Sequence, residues 1–173
     1  MKKITVYFIF SLFLSVPLAG HAQTSPEASA DVRISPNNDR NVAIGWDFVH
    51  SVVAGKLDRV KQLFAPDFVC YGPGGEDVNR TDQYIAIWKE RYKEHLDGKT
   101  ADVAGVSLEN RSEEGKWQEW VMLWFDYSAK NKNAGVVIKI PTQLTIKLVN
   151  GKIAELHEYF DTGAVIRKSG QGK

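Results

Sequence analysis

Two carboxylates and a set of large aromatic side chains are the groups in this chain whose type and position could do chemistry. Glu158 falls in the segment 152–161, where alternation along a strand puts Ala154, Leu156, Glu158 and Phe160 on one face and Ile153, Glu155, His157, Tyr159 and Asp161 on the other. The first face is apolar except for this acid. A carboxylate among apolar neighbours loses hydration of its charged form, so its pKa rises and it becomes a candidate general acid or base near neutrality. Asp126 shares a parity with Trp120, Met122 and Trp124 and is the weaker candidate for a second acid in the same cavity, the competing reading being a solvated acid near a strand end. Tyr71, Trp88, Tyr92, Trp120 and Trp124 are the candidate ligand-binding aromatics around Glu158.

Other chemistries find little support. His50, His95 and His157 lack the four-residue repeat of a helical metal-binding pair, so neither a metal site nor a cofactor is expected. Cys70 is the single cysteine, which excludes an intrachain disulfide and reads as a buried structural thiol. The Gly72-Pro73-Gly74-Gly75 loop lacks the Lys-Ser/Thr ending of a phosphate-binding loop, and no Gly-x-Ser-x-Gly elbow occurs.

The elements that must position these groups follow from periodicity. Val42, Trp46, Val49 and Val53 form a helical stripe that Gly55 ends, and Leu57, Val60, Leu63 and Phe64 form a second, stopped by Pro66. A short strand is expected over 67–71. A third helix follows Thr81-Asp82, with Tyr84, Ile85, Trp88, Tyr92 and Leu96 on one side. Beyond Asp97-Gly98 the period becomes two, predicting strands over 101–110, 117–129, 136–149 and 152–161. Asn150-Gly151 marks the last hairpin, because both residues tolerate positive φ. The strand 117–129 is apolar on both sides, so one face lines the interior and the other wants a partner.

The chain has 173 residues, 43% apolar and 25% charged, with 22 basic and 21 acidic residues. That balance gives no electrostatic reason to expect nucleic acid or an anionic membrane as partner. Lys2 and Lys3, the apolar run from Ile4 to Leu18 and the small residues before Gln23 predict a signal peptide over 1–22, and hence a secreted or periplasmic protein with no membrane attachment after cleavage. Residues 23–38 read as a flexible leader, 39–166 as one α+β domain and 167–173 as a disordered tail.

The helix ending in Leu63-Phe64-Ala65-Pro66-Asp67-Phe68, the Gly-rich loop, the aromatic third helix, the long strands, and the closing Gly151-Lys152-Ile153 and Tyr159-Phe160-Asp161 resemble the nuclear-transport-factor-two-like superfamily, and within it the SnoaL-like polyketide cyclase group. The resemblance implies a cone-shaped, curved antiparallel sheet of about four long strands and a short one, wrapped around three N-terminal helices. It also implies a deep pocket and a homodimer through the convex sheet face. Catalytic relatives often carry His-x-Asp on the last strand; the matching positions here are Leu156 and Glu158, so the acid is present in longer form and the His is missing. Three readings follow: an exported domain binding a small hydrophobic molecule, a cofactor-free isomerase, cyclase or dehydratase using Glu158, or a non-catalytic association module.

Overall fold

The computed structural model describes residues 31–75 and 77–169. The expected signal peptide 1–22, the first part of the expected leader and the end of the expected tail lie outside the described residues. Strand β1 (Val32–Ile34) precedes helices α1 (Asn38–Val53) and α2 (Leu57–Leu63); β2 (Phe64–Tyr71) and β3 (Val78–Arg80) lead to α3 (Thr81–Glu94). Four long strands then run in succession, β4 (His95–Arg111), β5 (Trp117–Asn131), β6 (Val137–Val149) and β7 (Lys152–Phe160), before α4 (Thr162–Ser169).

These strands form one seven-stranded sheet in the order β1-β4-β5-β6-β7-β2-β3. All neighbours are antiparallel except β2 and β7, which run parallel. The cone-shaped antiparallel sheet wrapped around three helices is therefore corrected. The four long strands are present, but the sheet is mixed, neither closed nor strongly curled, and the helices are interspersed among the early strands. The reason lies in segments too short to carry a period. Three-residue strands β1 and β3 extend the two edges, and β2 joins β7 by a long-range parallel contact that hairpin logic does not generate. Residues 32–34, read as leader, are β1; part of the expected tail belongs to α4.

The last hairpin forms as its residues require, with φ of 52° at Asn150 and 72° at Gly151. Leu148 pairs with Ile153 and Lys147 with Glu155, so Ala154 is a bulge that returns Ile153 to the same buried side as Leu156. Past the bulge, alternation is regular. Leu156 and Glu158 are buried, while Tyr159 is exposed.

Helix α1 lies on β4 and β5, and the approach is close. A Cβ at Gly105 would stand 2.8 Å from Leu123 Cδ2 and 2.9 Å from Val42 Cγ1; one at Gly45 would stand 3.0 Å from Leu123 Cδ1. Leu123, fully buried, fits between these two glycines and fixes the depth at which α1 carries Phe48, Val49 and Val52 over the sheet. Gly105→Ala is expected to destabilise the protein by about 1–3 kcal/mol, the usual cost of overpacking, while Gly115→Ala, where an added Cβ meets nothing within 4 Å but φ is 74°, costs about 1 kcal/mol from backbone strain alone. Urea denaturation of both variants checks this ranking; a Gly105 variant as stable as the parent would contradict the close-packing assignment.

Candidate functional site

Glu158 lies at the centre of the helix-covered side of the sheet and is 8% exposed. Its strand neighbour is Leu144, which pairs in turn with Leu123, so these three residues share the face beneath the helices. From α3 the Tyr84 hydroxyl donates a hydrogen bond to Glu158 Oε1 at 3.2 Å. Burial raises the Glu158 pKa above its ordinary 4.5, opposed by the Arg91 guanidinium and by the Tyr84 hydrogen bond. Burial also drives the Tyr84 hydroxyl well above its ordinary range. Burial therefore makes each member of the pair hold its proton more firmly than it would in water.

Two neighbouring spaces are both bordered by this pair. The inner chamber, about 120 Å³, is walled chiefly by Phe48, Val52, Phe125, Ile140 and Leu144. The outer groove, about 410 Å³, opens between α3 and the β2–β3 connection and includes Cys70, Asp77 and Asn79. Tyr84, Trp88, Arg91 and Glu158 line both. Val165 from α4 closes one side of the chamber, and α4 is held by the Asp161 carboxylate, which accepts the Ala164 N–H at 2.8 Å.

The helix α3 supplies most of the polar groups through one stripe. Tyr84, Trp88, Arg91 and His95 fall at successive spacings of four, three and four, the last at the helix end. His95 Nδ1 lies 3.2 Å from the Tyr127 hydroxyl, and burial, aided by Arg91, lowers the His95 pKa. Trp88 Nε1–H is buried without a hydrogen-bond partner, although it lies near enough to Tyr84 to temper the rise of that hydroxyl.

Of the candidate site residues, Glu158 and Trp88 meet in this cavity. Tyr92 packs beside Trp88, with ring centroids 5.8 Å apart, and its hydroxyl donates to the Val52 carbonyl rather than to the space. Tyr71, Trp120, Trp124 and Asp126 lie on the opposite face. Tyr71 stacks on His157 at 4.7 Å, and Trp120 lies 6.3 Å from the same ring. Trp124 is 38% exposed. Asp126 pairs with Lys139 at 2.8 Å. Strand β5 is apolar on both sides, so composition does not choose its inward face; pairing of Val121, Leu123 and Phe125 with Ile146, Leu144 and Thr142 does. Tyr84, Arg91, His95 and Tyr127 were absent from the sequence-based site. The signal was available for three of them in the 84–88–91–95 stripe, hidden because Arg91 and His95 are polar. Cys70 is 1% exposed, and burial pushes its thiol pKa upward, as a structural thiol requires. Among the described residues no cluster of His, Cys, Asp and Glu could hold a metal ion.

Residues 47–156, more than half of the chain, match the SnoaL-like domain, and the chain belongs to that family within the nuclear-transport-factor-two-like superfamily. A structure assigned to the SnoaL-like polyketide cyclases from Jannaschia sp. CCS1 superposes with a TM-score of 0.65 at 14% identity, covering 82% of this chain and 99% of the other. An NTF2-like protein from Burkholderia xenovorans LB400 gives 0.57 at 17% identity over 79% and 99%. A hypothetical protein of ketosteroid isomerase-like fold from Catenulispora acidiphila, in complex with trimethylamine, gives 0.58 at 14% identity over 73% and 92%. At these identities the likeness concerns the fold. No curated protein is significantly similar in sequence.

Because the folded protein holds the Glu158 proton more tightly than the unfolded chain does, this residue's stabilising contribution is complete below the ordinary 4.5 and is lost as pH rises through the higher folded value. His95 runs the other way: its pKa is lowered, so its contribution is present above the ordinary 6.5 and is lost as pH falls through the folded value. Glu158→Gln is thus expected to gain in thermal midpoint relative to the parent between about pH 4 and about pH 8, and Tyr84→Phe to raise the Glu158 pKa further. Paired melts at the two pH values and a carbon-detected NMR titration read these effects; a constant difference in midpoint, or a Glu158 titrating at its ordinary value, would contradict the burial argument.

Proposed function

We propose that this chain is an exported domain that binds a small, largely apolar molecule, with Glu158 and Tyr84 gripping one polar group of it. The observation that carries this reading is the Glu158–Tyr84 pair bordering both an apolar chamber and an open groove. A buried acid held by one tyrosine hydrogen bond is costly to keep, and a site that must orient a polar atom is where such a cost is retained. A second reading, cofactor-free proton transfer, has the same hydrogen bond in its favour. A carboxyl group that titrates above its ordinary range can exchange a proton with a bound carbon acid while a tyrosine hydroxyl steadies the developing oxyanion.

One set of complexes separates the two. Single-ring ketones are expected to bind the purified chain saturably by calorimetry, and Glu158→Leu to weaken them about tenfold through loss of the polar contact. Deuterium entering the ketone α-position in heavy water, absent in Glu158→Gln, would add the catalytic reading. Binding without exchange leaves the first reading alone, and no saturable binding by any ketone would remove both.

Export follows from residues 1–22. Pairing of two copies is proposed through the outer sheet face, where Trp124 and Tyr159, 38% and 51% exposed, flank Gln143. No described helix is long and apolar enough to cross a membrane. Native mass spectrometry of the protein recovered from its own envelope or medium tests both proposals. A chain starting at Gln23 with twice the single-chain mass is expected, reverting to single mass in Trp124→Lys. An intact Met1 would count against export, and single mass in the parent against pairing.

A further inference from the structure

Arg91 is a cation that faces the cavity and, among the described residues, has no carboxylate in an ion pair with it. It lines the inner chamber, the outer groove and the shallow surface beyond them. Among the described residues no carboxylate forms an ion pair with it: Glu90 is held by Lys93 at 2.7 Å, and Glu158 is bound to Tyr84. Its guanidinium instead lies over the Trp88 ring, 4.8 Å from the centroid. Stacking uses the face of the guanidinium and leaves its edge, with the N–H donors, available. Its charge is nevertheless felt throughout the site, pulling down the Glu158 pKa and adding to the depression of His95.

We propose that Arg91 anchors a carboxylate, and that the ligand class of this cavity is a small ring-bearing carboxylic acid whose apolar part enters the inner chamber. The proposal rests on the small-molecule-binding reading above. The chamber, about 120 Å³, is close to the roughly 150 Å³ that accepts one benzene ring. Its walls offer apolar contact to such a ring, and Arg91 borders both the chamber and the groove. The two oxygens of a carboxylate match two parallel N–H donors of one guanidinium, whereas a phosphate dianion calls for more donors than a single arginine supplies. The Trp88 Nε1–H, buried near the Tyr84 hydroxyl but with no hydrogen bond of good geometry among the described residues, is a further donor at the same junction. An ammonium ligand fits poorly, because Arg91 repels it.

Calorimetry with cyclohexanecarboxylate, cyclohexanecarboxamide and cyclohexylmethylamine on the full chain tests this assignment at neutral pH. The parent is expected to prefer the carboxylate over the carboxamide by about tenfold or more, as a charge-assisted bidentate contact provides. Arg91→Gln should abolish the preference by weakening the carboxylate far more than the carboxamide, and Arg91→Lys should keep part of it. Thermal melts of both variants confirm folding, and Trp88→Phe, which retains the ring but removes the N–H, should weaken the carboxylate less than Arg91→Gln does. Equal or tighter binding of the carboxamide or the amine, or a preference that survives in Arg91→Gln, overturns the anchor while leaving small-molecule binding in place. If none of the three binds, the anchor falls, and the binding reading falls with it where no ketone binds either.

Discussion

The parallel pairing of β2 with β7 is the constraint on which the rest of the structure depends. It joins residues separated by most of the domain, with Cys70 beside Leu156 and Tyr71 beside His157. Parallel neighbours require a long connection, and here the connection contains α3 and the whole β4–β6 meander. Because β3 turns back along β2 and Arg80 immediately precedes α3, that helix has to cross the sheet above β7. Only this placement lets Tyr84 reach Glu158 from above while Leu144 flanks it within the sheet. The start of α3 is secured locally, with the Gln83 side chain accepting the Arg80 N–H at 2.8 Å.

Given that geometry, Glu158 is set against the stability of the fold. The surrounding apolar side chains gain by leaving water, and the carboxyl group loses by leaving it. Tyr84 offsets part of that loss through one hydrogen bond, and Arg91 a further part through its field, yet burial remains the larger influence. The site is thereby biased toward a neutral acid that can donate a hydrogen bond as well as accept one. A Gln at this position would preserve shape and remove the pH dependence, whereas an apolar residue would turn the chamber into ordinary core. Retaining an ionisable group here is consistent with a cavity built to meet a polar atom.

Much of the fold was legible because periodicity is strong where elements are long. Strands β5, β6 and β7 and the three helices fall within about two residues of where the pattern places them, whereas β4 begins at His95, six residues before the expected 101, and takes Leu96 from the expected helix; Asn150-Gly151 identifies its hairpin directly. What escaped was set by contacts distant in sequence: the three-residue edge strands, the parallel β2–β7 pair and the open sheet. The site divides along the same line. Glu158 was legible because it interrupts an apolar alternation, and the Ala154 bulge lies before it, leaving its parity with Leu156 intact. Trp120, Trp124 and Tyr71 were placed in the pocket on aromatic character alone, although β5 presents aromatic residues to both sides and only its register decides between them.

That two-sidedness bears on why one face encloses a cavity and the other does not. Beneath the helices the rings that line the chamber meet at an angle: Trp88 and Tyr127 at 84°, Tyr84 and Trp88 at 54°, Phe48 and Tyr84 at 36°. Rings brought to one point at such angles from helix and sheet leave space between them, so a chamber remains. On the outer face Tyr71, His157 and Tyr159 belong to adjacent or identical strands and lie nearly parallel, at 17° and 9°. Parallel rings on one sheet make a flat surface without concavity, and Glu155, 2.8 Å from His157 Nε2, ties that surface together. A flat face of this kind suits contact with another flat face, whereas a small molecule can be surrounded only on the side where helix and sheet bring their aromatic side chains together at an angle.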